Sequence, residues 1–240
     1  EHLKTKWFGL INLSWRFALP RTTILTTIST YLLDRAKREG YQGQSVVIPN
    51  GVNFELFNTP ASIESLNHAQ EKMQKKDGET MLITTSRLTK KNAVEDIIKS
   101  LKSLPESVKL AVLGVGPLES ELKSLTKKLR LENRVKFLGF VEHKIAPAYL
   151  QSADIFIRPS LSEGMGNSFI EAMASGIPVI ATPVGGIVDF LKDLSNTSGQ
   201  AATGVFCKVH NPESIAEAVN KILNDKNLVE PITSNARKMV

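Results

Sequence analysis

A single cysteine, Cys207, is the first scarcity in this 240-residue chain. One thiol forms no internal disulfide and cannot build a cysteine-rich zinc site, so neither device is expected to hold the fold. Cys207 reads as a small apolar strand residue, and a chain without disulfides fits a reducing, cytoplasmic setting. No apolar run approaches the ~20 residues needed to span a bilayer. The opening stretch, EHLKTKWFGLINLSWRFALPRTT, lacks both a clean apolar core and a small-residue cleavage site, and so does not read as a secretory leader. There is no initiator Met, which implies numbering that begins inside a longer protein. The four histidines, His2, His68, His143 and His210, are far apart, and each reads as a surface residue rather than a ligand or base. No Asp-x-Asp pair occurs, so no metal is expected to clamp a diphosphate.

What is present is an ordinary globular balance, 42% hydrophobic and 22% charged. Thirty Lys and Arg against 24 Asp and Glu give a net charge of +6. The plain reading is a solvated basic surface; the sharper ones are attraction of a phosphorylated ligand or peripheral contact with anionic membrane headgroups. The basic residues are not interleaved with aromatics on one segment, which argues against nucleic acid as a partner.

From residue 80 onward, short continuous apolar runs alternate with amphipathic stretches. The runs are MLITTS (81–86), KLAVLG (109–114), VKFLGF (135–140), DIFIRP (154–159), IPVIATP (177–183) and TGVFCKV (203–209). Apolar runs without alternation require burial on both faces, as in a parallel sheet. Their repetition with helices predicts a doubly wound α/β domain of about six strands. Earlier, TTILTTIS (22–29) reads as a strand, followed by a helix stopped at Gly40 and a second strand SVVIP (45–49). The polar stretch after Phe57 reads as a surface helix or linker. This assigns residues 1–45 to the remnant of one lobe, 46–79 to an interdomain segment and 80–240 to the α/β domain.

In open α/β sheets ligands bind beyond the carboxyl ends of the strands, so the residues after each strand are the ones to interrogate. The densest signal is SLSEGMGNSFIEAMASGIPVIATPVGG (160–186). A strand ends at Pro159; the turn Glu163-Gly164-Met165-Gly166-Asn167 follows, then a helix from Ser168 that Gly176 closes. Glycines admit close backbone approach, and the first amides of a helix point outward toward an anion, a setting suited to a diphosphate. Glu163 in the loop and Glu171 about one turn into the helix offer two carboxylates to the hydroxyls of one ligand. Gly114-Val115-Gly116-Pro117 follows another strand, but Pro117 and Leu118 break the third-glycine pattern of a nicotinamide fingerprint.

The 160–186 stretch resembles the signature of glycosyltransferase family 4 (glycosyltransferase group 1), whose two-lobed GT-B members carry two Glu separated by seven residues. VVIPNGVNFELF (46–57), SRLTKKNAVEDIIKSL (86–101), LAVLGVGPLESELKSL (110–125) and NRVKFLGFV (133–141) resemble further elements of the family in order.

The resemblance implies the C-terminal, donor-binding lobe of a retaining transferase. Its substrate would be a UDP- or GDP-linked hexose, its acceptor a lipid, polysaccharide or protein glycan hydroxyl, with no cofactor and no metal. Glu163 would hold the hexose or developing positive charge and Glu171 the ribose. Arg87 and Lys91 would neutralise the diphosphate. Gly114 and Gly116 would lie beside the nucleotide, with the Val141 main chain at the base. Many relatives have Lys-Gly where this chain has Asn92-Ala93, which leaves open whether Lys90 or Lys91 reaches phosphate. A first lobe before Glu1 and a final helix past Val240 are also implied, so this piece alone is expected to be inactive. A nucleotide-sugar epimerase, a sugar phosphorylase and a non-catalytic sugar-nucleotide-binding module are the alternatives on the same plan.

Overall fold

The computed structural model describes residues 10–194 and 202–240. Residues 1–9 of the stretch read as lacking a leader, His2 among them, lie outside the described residues. The chain divides into two compact units, Glu1–Gly51 and Val52–Val240.

The first unit holds α1 (Leu10–Ala18), β1 (Ile24–Thr27), α2 (Thr30–Arg38) and β2 (Gln44–Val47). The two strands pair in parallel, Ile24 opposite Gln44 through Thr27 opposite Val47. Ser29 caps α2 by accepting from the Leu32 amide at 3.3 Å. Beyond the helix, Gly40 turns the chain at φ +102°. Leu19, Ala36 and Tyr41 form a small buried cluster, and the Tyr41 hydroxyl donates to the Gln44 carbonyl.

The second unit begins with α3 (Phe54–Asn58) and α4 (Ile63–Met73), capped by Asn53 and Ser62 respectively. This corrects the reading of 46–79 as one interdomain segment. Phe57, Ala69 and Met73 are buried. Gln151 donates to the carbonyls of Phe57 at 3.0 Å and Thr59 at 2.9 Å, and accepts from the Ala61 amide at 2.8 Å. Lys75 is paired with Asp154 at 2.8 Å. Residues from Val52 onward are therefore part of the α/β body, while β2 belongs with β1.

The body is a six-stranded parallel sheet made of β3 (Thr80–Thr85), β4 (Val108–Leu113), β5 (Val135–Gly139), β6 (Ile155–Arg158), β7 (Val179–Ala181) and β8 (Val205–Phe206). Their spatial order is β5-β4-β3-β6-β7-β8. The order reverses between β3 and β6, which is where a doubly wound sheet opens a crevice. The connecting helices are α5 (Val94–Ser100), α6 (Glu119–Lys128), α7 (Ala146–Ser152), α8 (Asn167–Ala174), α9 (Ile187–Phe190) and α10 (Pro212–Asn224), with α11 (Lys226–Met239) following. Every residue of β6 and β7 is buried, whereas β5 at the sheet edge buries only Val135; the apolar runs follow from helices covering both faces.

Several elements are shorter than the sequence pattern predicts, two of them for a visible reason. The run 203–209 yields only Val205–Phe206 as strand, because Lys208 leaves the ladder to donate to Ser214 Oγ at 3.1 Å and His210 takes φ +53°. The stretch IVDFLKDL is helical only over Ile187–Phe190: Leu191 is extended, and Asp193 turns to accept from the Phe206 amide at 2.5 Å.

Candidate functional site

Two groups of side chains meet at the carboxyl end of the sheet. One surrounds Arg158, the last residue of β6 and only 8% exposed. Its Nη2 donates to Glu163 Oε2 at 2.5 Å and to Asn92 Oδ1 at 2.9 Å, while Nη1 donates to Ser168 Oγ at 2.7 Å. Burial pulls the guanidinium below the ordinary arginine pKa, and the nearby Glu163 and Glu171 carboxylates pull the other way. Arginine remains charged through such shifts. With both side chains about 10% exposed, removing one member of the Arg158–Glu163 pair would strand a buried charge, at about 3–5 kcal/mol.

Glu163 is held at both oxygens. The Gly164 amide donates to Oε1 at 3.1 Å, and Lys91 Nζ stands 3.8 Å from it. The loop itself is fixed by neighbours: Leu161 N donates to Lys91 O at 2.7 Å and Gly186 N to Glu163 O at 3.2 Å. Gly166, at φ +90°, begins α8, and a Cβ there would fall 2.6 Å from the Phe169 ring. At Gly166 the close approach is thus to the Phe169 ring and the Glu163 side chain. Met165 is buried. Asn167 and Ser168 open the helix, whose N-terminus has no side-chain cap.

The second group lines a cleft of about 820 Å³ at the ends of β3, β4 and β5. Arg87, Gly114, Gly116, Val141 and Glu171 all border it, together with Ser86, Pro117 and the 74%-exposed Phe140. Gly114 has φ +132°, and a Cβ there would lie 1.9 Å from the Ser86 carbonyl oxygen. Its freedom therefore lets the β4 loop lie against the β3 loop and shape one wall.

Buried polar atoms without partners concentrate here. Among the described residues they are the hydroxyls of Thr84, Thr85, Ser86 and Ser160, Arg158 Nε and Asp96 Oδ2. All but the last belong to the carboxyl ends of β3 and β6. Of these residues, Thr85 and Ser86 border the cleft, and native interiors leave few such atoms unpaired.

The structure separates Lys90 from Lys91. Lys91 faces Glu163, whereas Lys90 borders a different cavity of about 280 Å³ with Glu95, Glu121 and His210. His143 is the residue that sequence reasoning missed. Its ring is largely exposed, as a surface histidine would be, yet Nε2 lies 3.1 Å from Glu171 Oε1. Behind it stands the fully buried Phe57, edge-on with ring centroids 5.1 Å apart. The available signal was position: His143 is two residues beyond Val141 in the loop that follows β5. Among the described residues no group of three or more His, Cys, Asp or Glu could hold a metal ion, and no helix is long and apolar enough to cross a membrane.

The sequence model of the family described as "Glycosyl transferases group 1" matches residues 67–239. The chain belongs to this family. It is 33% identical over 196 residues to an uncharacterised glycosyltransferase of Methanocaldococcus jannaschii, covering 81% of this chain and 48% of the relative. With the alpha-monoglucosyldiacylglycerol synthase of Streptococcus pneumoniae it shares 32% over 139 residues, 56% of this chain and 32% of that protein. The chain thus spans about half the length, or less, of these curated relatives.

Among solved structures, Anabaena HepE in complex with UDP and glucose aligns at TM-score 0.83 and 23% identity, over 95% of this chain and 62% of that one. The C-terminal domain of a Francisella tularensis group 1 protein aligns at TM-score 0.63 and 24% identity, over 79% and 96% of the two chains. These likenesses are of fold: a parallel α/β sheet of the GT-B glycosyltransferase type.

Proposed function

We propose that this chain is the donor-binding lobe of a retaining hexosyltransferase that takes a UDP- or GDP-linked hexose. The observation that carries the reading is the arrangement across the switch point. A cleft bordered by Arg87 and Glu171 lies on the β3–β5 side, and Glu163, oriented by Arg158, follows β6, the strand next to β3. In this reading the nucleoside occupies the cleft, with Glu171 accepting from ribose hydroxyls and the Val141 main chain facing the base. The diphosphate lies toward Arg87, Lys91 and the start of α8, where positive charge and helix amides stabilise the leaving group. Glu163 accepts from hexose hydroxyls.

Retention is assigned to front-face attack. The acceptor hydroxyl bonds to the anomeric carbon on the side from which the diphosphate departs, and its proton passes to a departing phosphate oxygen. Front-face attack needs no protein nucleophile, so Glu163, oriented by Arg158 and the Gly164 amide, is assigned to holding the hexose. Catalysis then rests on positioning and charge stabilisation. The acceptor is proposed to be selected outside residues 52–240. Net charge +6 and the diacylglycerol-linked relative support a site reached from the cytoplasmic face of a membrane.

Calorimetric titration with UDP, GDP, ADP and their hexose conjugates tests the reading. Binding of UDP or GDP that Glu171→Ala abolishes is expected. No heat and no melting shift with any nucleotide at millimolar concentration would refute it.

A further inference from the structure

Arg158 stands out in its own strand. Ile155, Phe156 and Ile157 before it are apolar and buried, as a central parallel strand requires, and a guanidinium then follows at 8% exposure. Its partners come from three separate segments. Asn92 lies in the turn after β3, Glu163 in the loop after β6, and Ser168 in the first turn of α8. The ring of Phe169 lies 5.3 Å from its Cζ and flanks the group. Asn92 in turn donates from Nδ2 to the Arg87 carbonyl at 2.6 Å, so one connected network runs from Glu163 to the backbone that carries Arg87.

Resting on the donor-site reading above, we infer that Arg158 is a positioning residue: it acts through Glu163, aiming that carboxylate at the hexose and registering it against the Arg87 loop. The hydrogen-bond inventory favours this over direct contact with the diphosphate. Both Nη2 hydrogens are engaged by Glu163 and Asn92, and one Nη1 hydrogen by Ser168. The unpartnered Nε is itself buried, so a phosphate would have to enter the protein to meet it. Glu163, in contrast, keeps acceptor capacity. A carboxylate has about four lone-pair sites, and the Arg158 and Gly164 bonds take two. With the rotamer held from both oxygens, the remaining lone pairs point in a set direction, which is what a hydroxyl-reading site needs. Lys91, 55% exposed and 3.8 Å away, adds charge without comparable constraint.

The test separates sugar recognition from nucleotide binding. Affinities of the chain for UDP and UDP-glucose, and for GDP and GDP-mannose, are measured by calorimetry in wild type, Arg158→Met, Glu163→Gln and the double variant. The readout is the gain in affinity that the hexose adds to the nucleotide. Arg158→Met is expected to reduce that gain about tenfold, the value of hydrogen bonds to one charged group, while affinity for UDP or GDP alone changes less than about threefold. The double variant should match Glu163→Gln, since Arg158 has no separate role once the carboxylate is gone. Arg158→Lys, able to keep the charge but not the fork, should recover part of the gain.

If Arg158→Met does not fold, the double variant, which carries neither buried charge, bears the comparison with Glu163→Gln. The inference is overturned if UDP or GDP alone weakens in parallel with its conjugate, if the double variant falls well below Glu163→Gln, or if Arg158→Met binds all four ligands as wild type does. A wild-type chain that binds none of them would instead refute the donor-site reading itself.

Discussion

Replacing Gly114 by alanine probes the wall of the cleft without touching any charged group. The residue sits at φ +132°, a region open to glycine and strained for every L side chain, at about 1–3 kcal/mol. Its new Cβ would lie 1.9 Å from the Ser86 carbonyl oxygen, far inside the ~3.3 Å of an ordinary carbon–oxygen contact. Since the obstacle is backbone, no side chain can swing away. The β3 and β4 loops must part by more than ~1 Å, adding about 1–3 kcal/mol of overpacking strain. A combined loss of roughly 2–6 kcal/mol corresponds to a fall of about 5–20 °C in melting temperature for a domain of this size. Displacing this wall should also weaken UDP or GDP binding, because Ser86, Arg87 and Gly116 share the cleft. The control is Gly78→Ala. It has φ +77° but nothing within 4 Å of the added Cβ, so it carries backbone strain alone, about half the fall, or ~2–10 °C, with nucleotide affinity unchanged. Calorimetric melting and nucleotide titration of both variants decide the matter. A Gly114→Ala protein that melts like Gly78→Ala and binds nucleotide normally would refute the claim that this glycine is demanded by backbone approach.

Other consequences are equally direct. His143→Ala removes the hydrogen bond to Glu171 Oε1 and should weaken nucleotide binding about three- to tenfold with melting little changed, as read by titration. Phe57→Ala empties a fully buried site behind His143; a loss of about 3–5 kcal/mol in urea unfolding is expected, together with weaker nucleotide binding. Burial pushes the Cys207 thiol from 9.0 up to about 12. The unfolded thiol then ionises first, so its stabilising contribution is intact below pH 9 and declines above it by about 1.4 kcal/mol per pH unit toward pH 12. The stability difference between wild type and Cys207→Ala should show that slope in urea unfolding at pH 8 to 10.5. Burial likewise raises the Asp96 carboxyl above the ordinary aspartate range, with Lys99 opposing. Stability held by the protonated form is therefore lost as pH rises through the folded pKa, and Asp96→Asn should melt higher at neutral pH.

Much of the fold is legible in the sequence because its signals are local. The buried runs at 81–86, 109–114 and 154–159 coincide closely with β3, β4 and β6, since a strand covered on both faces must be apolar at every position. The ends of α2 and α8 follow from Gly40 and Gly176, both at positive φ. Where a run meets a competing hydrogen bond, as at Asp193 and Lys208, local pattern overestimates the element. The segment 52–79 is polar enough to read as a linker, yet it belongs to the α/β body through Gln151, Lys75 and Met73. Those contacts lie up to 94 residues away in sequence, and no window of composition reveals them.

The site divides along the same line. The spacing of Glu163 and Glu171 around a glycine turn is a sequence property, because strand, turn and helix follow one another without interruption. Which groups those carboxylates meet is decided by strand order. Only when β3 and β6 become neighbours does Arg158 reach Asn92, and only the path of the chain after β5 brings His143 to Glu171. Lys90 and Lys91 are adjacent in sequence and alike in charge, and the short helical turn at 90–92 sends Lys91 to Glu163 and Lys90 to a separate cavity. The glycines are readable as necessary from the sequence alone. Tertiary structure adds that Gly114 and Gly166 face protein atoms, since their neighbours are supplied by loops and rings brought in by the fold.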